Sequence, residues 1–167
     1  MRQLLALRVS VLAGLWALNA GAALADPFAD GVTAYNGGDY AAALSLWRPL
    51  AEGGHVRAEF RLALMYDSGI GVRQDYSEAR KWFQAAADQG AADAAFNLGF
   101  MYDTGKGVPP DYFAAAKWYQ IAADQGFAEA EFNLAVLYEN GWGVRQDFEE
   151  AGRWYALAAS HGRYAGR

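Results

Sequence analysis

Any catalysis by this 167-residue chain would have to draw on two histidines, a few serines and a recurring Gly-x-Gly segment. His55 and His161 stand far apart in the sequence, with no carboxylate or thiolate at metal-ligand spacing beside either, and the chain has no cysteine. A protein metal site needs several N, S or O ligands converging on one ion, so neither a metal nor any other cofactor is expected. Beyond residue 25 the serines are Ser45, Ser68, Ser77 and Ser160; none begins Ser-x-x-Lys and none lies in Gly-x-Ser-x-Gly. Nucleophilic hydrolysis therefore has no activated starting group. Gly69-Ile70-Gly71, Gly105-Lys106-Gly107 and Gly141-Trp142-Gly143 lack the fuller glycine pattern and the preceding strand of a nucleotide loop, and they recur at fixed spacing. They read as turns. The sequence points to a protein that is not an enzyme.

The elements around these groups repeat. Residues 55–90, 91–126 and 127–162 form three consecutive 36-residue blocks in unbroken register. Each block carries Ala58, Ala94 or Ala130, then Phe60, Phe96 or Phe132, then Leu62, Leu98 or Leu134, then Tyr66, Tyr102 or Tyr138. The Gly-x-Gly-Val segment follows, then Asp75, Asp111 or Asp147. In the second half of the first block, Ala79, Trp82, Phe83, Ala86 and Ala87 fall at i, i+3, i+4, i+7 and i+8, one stripe of a 3.6-residue helix. Ala58, Leu62, Met65 and Tyr66 do the same in the first half, so each block is two helices.

Gly69 and its equivalents suit the left-handed residue that closes a helix. Asp75 and Asp147 suit N-caps, with Glu78 and Glu150 completing a capping box. Ala114 replaces that glutamate in the middle block, where a weaker cap is expected. Because capping already explains these aspartates, they are poor candidates for an acid/base pair. Upstream, residues 26–54 keep Tyr35, Asp39, Ala43, Ala51 and Gly54 in register with an inter-helix loop five residues shorter, and read as an N-terminal half-repeat or cap. The fold class is all-α: a right-handed α-solenoid of about three and a half stacked antiparallel helix pairs. Residues 163–167 are too short to cover the last block, so an open apolar edge there invites self-association.

Once the core face of each first helix is assigned, Phe60 and Leu64 point away from it, as do Phe96 with Phe100 and Phe132 with Val136. Stacked across blocks they form an apolar column on the inner wall, bordered by Asp67, Asp103 and Glu139, with Asn97 and Asn133 on one flank and Arg61 in their place in the first block. One reading makes this column a binding surface for an apolar or basic extended peptide. The other has the phenylalanines packing against the neighbouring block, since an aromatic stripe at helical spacing is usually core. Trp82, Trp118 and Trp154 face into the helix pair as core. Trp142 stands where Ile70 and Lys106 stand in the other blocks, which makes it a candidate exposed anchor for a partner.

Arg2 and Arg8 precede a short apolar run over 9–18, followed by Ala23-Leu24-Ala25. This is the pattern of a secretory signal peptide over 1–25, cleaved before Asp26. A run of about 10 strongly apolar residues is too short to span a bilayer, so no stable membrane insertion is expected after cleavage, and the product is expected in a periplasm or outside the cell. Removing two of the 14 basic residues leaves 12 against 19 acidic ones, a net of −7. Nucleic acid is an unsuitable partner for such a surface, since binding it relies on Lys and Arg neutralising phosphates.

The combination of Ala, Leu, Tyr, Gly-x-Gly-Val, Asp, Trp and Ala-Ala at these spacings, over residues 26–162, resembles the Sel-one-like repeats, relatives of the tetratricopeptide repeat with a longer inter-helix loop. A period of 36 also exceeds the roughly 34 of ordinary tetratricopeptide repeats. The resemblance implies an α-solenoid used as an adaptor in protein complexes, in bacteria often exported and tied to envelope processes, signalling or host contact. A cysteine-rich branch of the family is associated with penicillin binding and weak β-lactam hydrolysis, and this cysteine-free chain departs from it. The function expected is an exported interaction scaffold, with a cell-wall or β-lactam-acting hydrolase as the alternative and a purely structural assembly unit third.

Overall fold

The computed structural model describes residues 26–162; the expected signal peptide over 1–25 and the tail 163–167 lie outside the described residues. Eight helices follow one another: α1 (Pro27–Asn36), α2 (Tyr40–Glu52), α3 (Val56–Ser68), α4 (Tyr76–Asp88), α5 (Ala92–Thr104), α6 (Tyr112–Ala123), α7 (Ala128–Asn140) and α8 (Phe148–Ser160). Among the described residues there is no strand. Each helix packs chiefly against its neighbours in the chain, the quasi-one-dimensional arrangement of a solenoid. Residues 26–54 form the N-terminal helix pair, α1 with α2, and with the three repeats make four stacked pairs. The sequence pattern is faint there because the three-residue turn between them lacks the Gly-x-Gly segment.

Within each repeat the core is the anticipated stripe: Ala58, Leu62 and Met65 on α3 against Ala79, Phe83 and Ala86 on α4, all buried. On α4 and α6 the most deeply buried aromatic is the residue after the tryptophan. Phe83 and Tyr119 are fully buried, whereas Trp118 and Trp154 are only half-buried against the core. In the first pair Trp47 takes this place, its indole N–H donating to the Phe28 carbonyl at 3.2 Å. Ridge after ridge of alanine lets the helices approach closely around these rings.

The loops explain the glycines. Gly69, Gly105 and Gly141 close α3, α5 and α7 in the left-handed conformation at φ 73°, 74° and 71°. The second glycine of each segment does something else. A Cβ at Gly71 would lie 2.3 Å from Tyr40 Cβ, one at Gly107 2.2 Å from Tyr76 Cβ, and one at Gly143 2.2 Å from the Tyr112 carbonyl carbon. Each loop thus seats on the first residue of the second helix in the pair before it, which locks successive pairs together. The residue between the glycines covers the same tyrosine: Lys106 Nζ lies 5.3 Å from the Tyr76 ring centre, and Trp142 stacks on Tyr112 at 5.3 Å.

The caps differ from the expected box. Asp75, Asp111 and Asp147 each accept two backbone N–H bonds from the first turn of the following helix, at 2.9 to 3.1 Å, with no weakening in the middle repeat. The reciprocal bond from a glutamate is replaced: the N–H of each aspartate donates to the carbonyl of Tyr66, Tyr102 or Tyr138 on the preceding helix, at 2.9, 2.8 and 3.0 Å. Glu78 and Glu150 are turned instead toward Lys81 and Arg153. The loop geometry supplies what the glutamate would, so Ala114 loses nothing.

Candidate partner-binding surfaces

The successive first helices α3, α5 and α7 carry the apolar column. Its three phenylalanines are half-buried and engaged with second-helix rings, Phe60 with Phe83 at 5.8 Å, Phe96 with Tyr119 at 5.8 Å and Phe132 with Tyr155 at 5.4 Å, and Phe96 also meets Phe127, the N-cap of α7, at 5.1 Å. Packing therefore accounts for much of that surface. What stays open is Phe100, 40% exposed, with Leu64 and Val136 half-buried at the equivalent positions on either side.

The bordering acids are not free solvated rims. Asp67 is paired with Lys106 of the next repeat at 2.8 Å. Asp103 accepts from the Tyr119 hydroxyl at 3.1 Å, and Glu139 from the Tyr155 hydroxyl at 2.7 Å. The difference has a sequence cause: the first repeat holds Phe83, which has no hydroxyl, and its aspartate turns to the following loop. Burial, and then the negative charge of Asp103, push the Tyr119 phenol far above its usual range, and the Asn133 side chain hydrogen-bonds the same oxygen. A phenol hydrogen bond leaves a carboxylate its charge, so Asp103 and Glu139 still present negative potential along the column. Asn97 is used locally, donating to the Asp93 carbonyl at 2.7 Å, and Arg61 lies over the Trp47 ring at 5.9 Å.

Trp142 is 45% exposed on its stack with Tyr112, away from the column. Close to it, the structure shows a surface that the helical projection missed. Phe113, 58% exposed, and Ile121, 42% exposed, line a trough of about 390 Å³ with Ala116, Lys117, Gln120, Tyr138 and Val144. The signal was available as a departure from the repeat: Phe113 and Ile121 stand where the first repeat has Ser77 and Ala85. Among the described residues no three His, Asp or Glu side chains gather as a metal site, and no helix is long and apolar enough to cross a membrane.

These features define an α-solenoid of interlocked helical hairpins whose distinctive groups lie on open surfaces. The Sel1 repeat family model matches residues 56–90, 92–127 and 128–162, and the chain belongs to the Sel1 repeat family, whose members are generally protein–protein interaction scaffolds and typically non-enzymatic. It is 34% identical to a Sel1 repeat protein from Oxalobacter formigenes, with a TM-score of 0.78 over 81% of this chain and 56% of that one. It is 35% identical to c5321, a protective antigen present in uropathogenic Escherichia coli strains displaying an SLR fold, with a TM-score of 0.78 over 82% of this chain and 30% of that one. The chain thus spans well under two thirds of either relative. The Helicobacter pylori cysteine-rich protein B shares the fold, at 18% identity and a TM-score of 0.57 over 81% of this chain and 91% of that one. Comparison with curated proteins gives no match.

Proposed function

We propose that this chain is an exported scaffold that takes an extended apolar or basic peptide along the column on α3, α5 and α7. The observation that carries the reading is Phe100: 40% exposed in the middle repeat, between Leu64 and Val136 and beside the charged Asp103. An apolar side chain of a partner would sit on Phe100, while Asp103 and Glu139 favour basic neighbours in the partner. Phe96 and Phe132 contribute by holding the wall in place through Tyr119 and Tyr155. The export part rests on the Arg2, Arg8 and Ala23-Leu24-Ala25 pattern over 1–25.

The test uses fluorescence anisotropy with a labelled peptide of alternating lysine and leucine. Binding to the wild type that falls about tenfold in Phe100→Ser, at unchanged helicity and melting, supports the column. Equal binding in both, or none in either, overturns it. Export is checked separately by fractionation: recovery of a product beginning at Asp26 outside the cytoplasm supports it, and a full-length cytoplasmic product removes it.

A second reading, self-association, has its own observation. Phe148 occupies the position at which Tyr40, Tyr76 and Tyr112 are met by the glycine loop of the following pair, and it is 69% exposed. Light scattering that shows a concentration-dependent mass lost in Phe148→Ser supports this contact; a constant monomer mass excludes it.

A further inference from the structure

We infer that the trough along α6 is a second docking surface, independent of the column on α3, α5 and α7, and that it takes an acidic segment of a partner protein carrying a bulky apolar side chain. Its walls come from two consecutive repeats. Phe113, Ala116, Lys117, Gln120 and Ile121 lie along one face of α6, and Tyr138 and Val144 of the next repeat close the other side. Phe113 and Ile121 are eight residues apart, two turns along the same face, so they bracket the floor. Neither is needed by the fold: Ser77 and Ala85 hold the same places in the first repeat, where the helix pair forms equally well. Large apolar side chains left this exposed at non-core positions, beside the exposed Trp142–Tyr112 stack, mark a contact surface.

Charge selects the occupant. The chain is acidic overall, yet the charged residue that lines this trough is a cation, Lys117. Its Nζ lies 4.2 Å from the Phe113 ring centre, and among the described residues it enters no ion pair. Arg80 lines the adjoining hollow of about 580 Å³, which shares Phe113 with the trough and is lined by Asp111 as well; among the described residues Arg80 is paired with no carboxylate. An apolar side chain would fill the trough between Phe113 and Ile121, and flanking carboxylates would meet Lys117 and Arg80. A basic or neutral segment would gain the first contact and lose the second.

The experiment uses the full chain and three labelled peptides that share a central Leu-Phe: one flanked by Asp and Glu, one by Lys, one by Ser and Gly. The acidic peptide should bind tightest, and raising salt from about 50 mM to about 500 mM should weaken it. The double substitution Phe113→Ser with Ile121→Ala restores the residues of the first repeat and should keep the melting curve while weakening the acidic peptide about tenfold. Lys117→Glu should weaken it as well and erase the preference over the neutral peptide. Phe100→Ser, on the inner column, should leave it unchanged, which separates this site from the column. Equal affinity for all three peptides, no binding, or affinity insensitive to the double substitution would overturn the inference. A concentration-dependent mass lost in the double variant would assign the trough to a second copy of the chain and overturn it equally.

Discussion

The ring of Tyr119 lies directly on the bare backbone of Gly99: a Cβ at that glycine would come 2.6 Å from Cδ1 and 2.7 Å from Cε1. The glycine is mid-helix in α5, where the other two repeats have Ala63 and Ala135. Two effects oppose each other on substitution. Helix propensity favours alanine over glycine by about 1 kcal/mol, while forcing a methyl against a fully buried ring costs about 1–3 kcal/mol. Tyr119 cannot withdraw without giving up its bond to Asp103, so the second effect wins. Gly99→Ala is expected to destabilise the chain by about 1 kcal/mol in urea unfolding. A gain in stability would show that the ring is free to move and that the Asp103 contact does not hold it.

The loop glycines separate backbone strain from contact. Gly90 has φ +91° and nothing within 4 Å of a Cβ, whereas Gly107 has φ +74° and the backbone-anchored Cβ of Tyr76 at 2.2 Å. Gly90→Ala should cost only the left-handed strain, about 1–2 kcal/mol. Gly107→Ala pays that and also pries the third pair from the second, adding about 2 kcal/mol. Because stability in such an array is a sum over units and junctions, the Gly107 variant should also broaden or split the unfolding transition followed by tryptophan fluorescence. Equal losses for the two variants would mean that the loop does not lock the pairs.

The stack was legible in the sequence because every contact that builds it is made several times over. Leu62, Leu98 and Leu134, the tyrosine before each loop and the paired glycines announce themselves by recurrence, and the periodicity then dictates the faces. Contacts made once are silent in that comparison. Lys106 with Asp67 is such a contact, joining residues 39 apart; the Tyr119–Asp103 bond is made again as Tyr155–Glu139, but it is broken in the first repeat, where Phe83 lacks the hydroxyl. Whether Phe96 faces solvent or Tyr119 depends on where the partner helix lies, which a projection of one helix does not contain. The trough at Phe113 is silent for another reason: Phe113 and Ile121 stand off the core stripe of their helix, at positions that Ser77 and Ala85 hold in the first repeat, and its far wall comes from the next repeat.

The caps give a discriminating pair of substitutions. If a capping box operated, Glu78→Ala would cost nearly as much as Asp75→Ala, and Asp111→Ala would cost less than either. The observed bonds predict otherwise. Each aspartate accepts two N–H bonds and passes its own N–H to a tyrosine carbonyl, so Asp75→Ala and Asp111→Ala should each lose about 1 kcal/mol. Glu78, exposed and 3.7 Å from Lys81, should lose only a few tenths. Chemical denaturation of the three variants decides it, and a large effect at Glu78 would restore the box.

Glu59 is only 3% exposed on α3, with Gln89 Nε2 donating to its Oε2 at 2.8 Å. Burial raises its carboxyl above the ordinary range, and the Gln89 bond and nearby His55 only partly oppose that. The sign follows from linkage: the folded chain holds this proton more tightly than the unfolded chain does, so the associated stability is full below the unfolded carboxyl range and is lost as pH rises through the folded one. At neutral pH the buried charge is therefore a burden that Glu59→Gln removes while keeping a partner for Gln89. The variant should match wild type near about pH 4 and become the more stable of the two by about pH 7. Melting temperatures across that range measure the difference; a variant less stable at neutral pH would mean that the ionised Glu59–Gln89 bond outweighs the desolvation of the carboxylate.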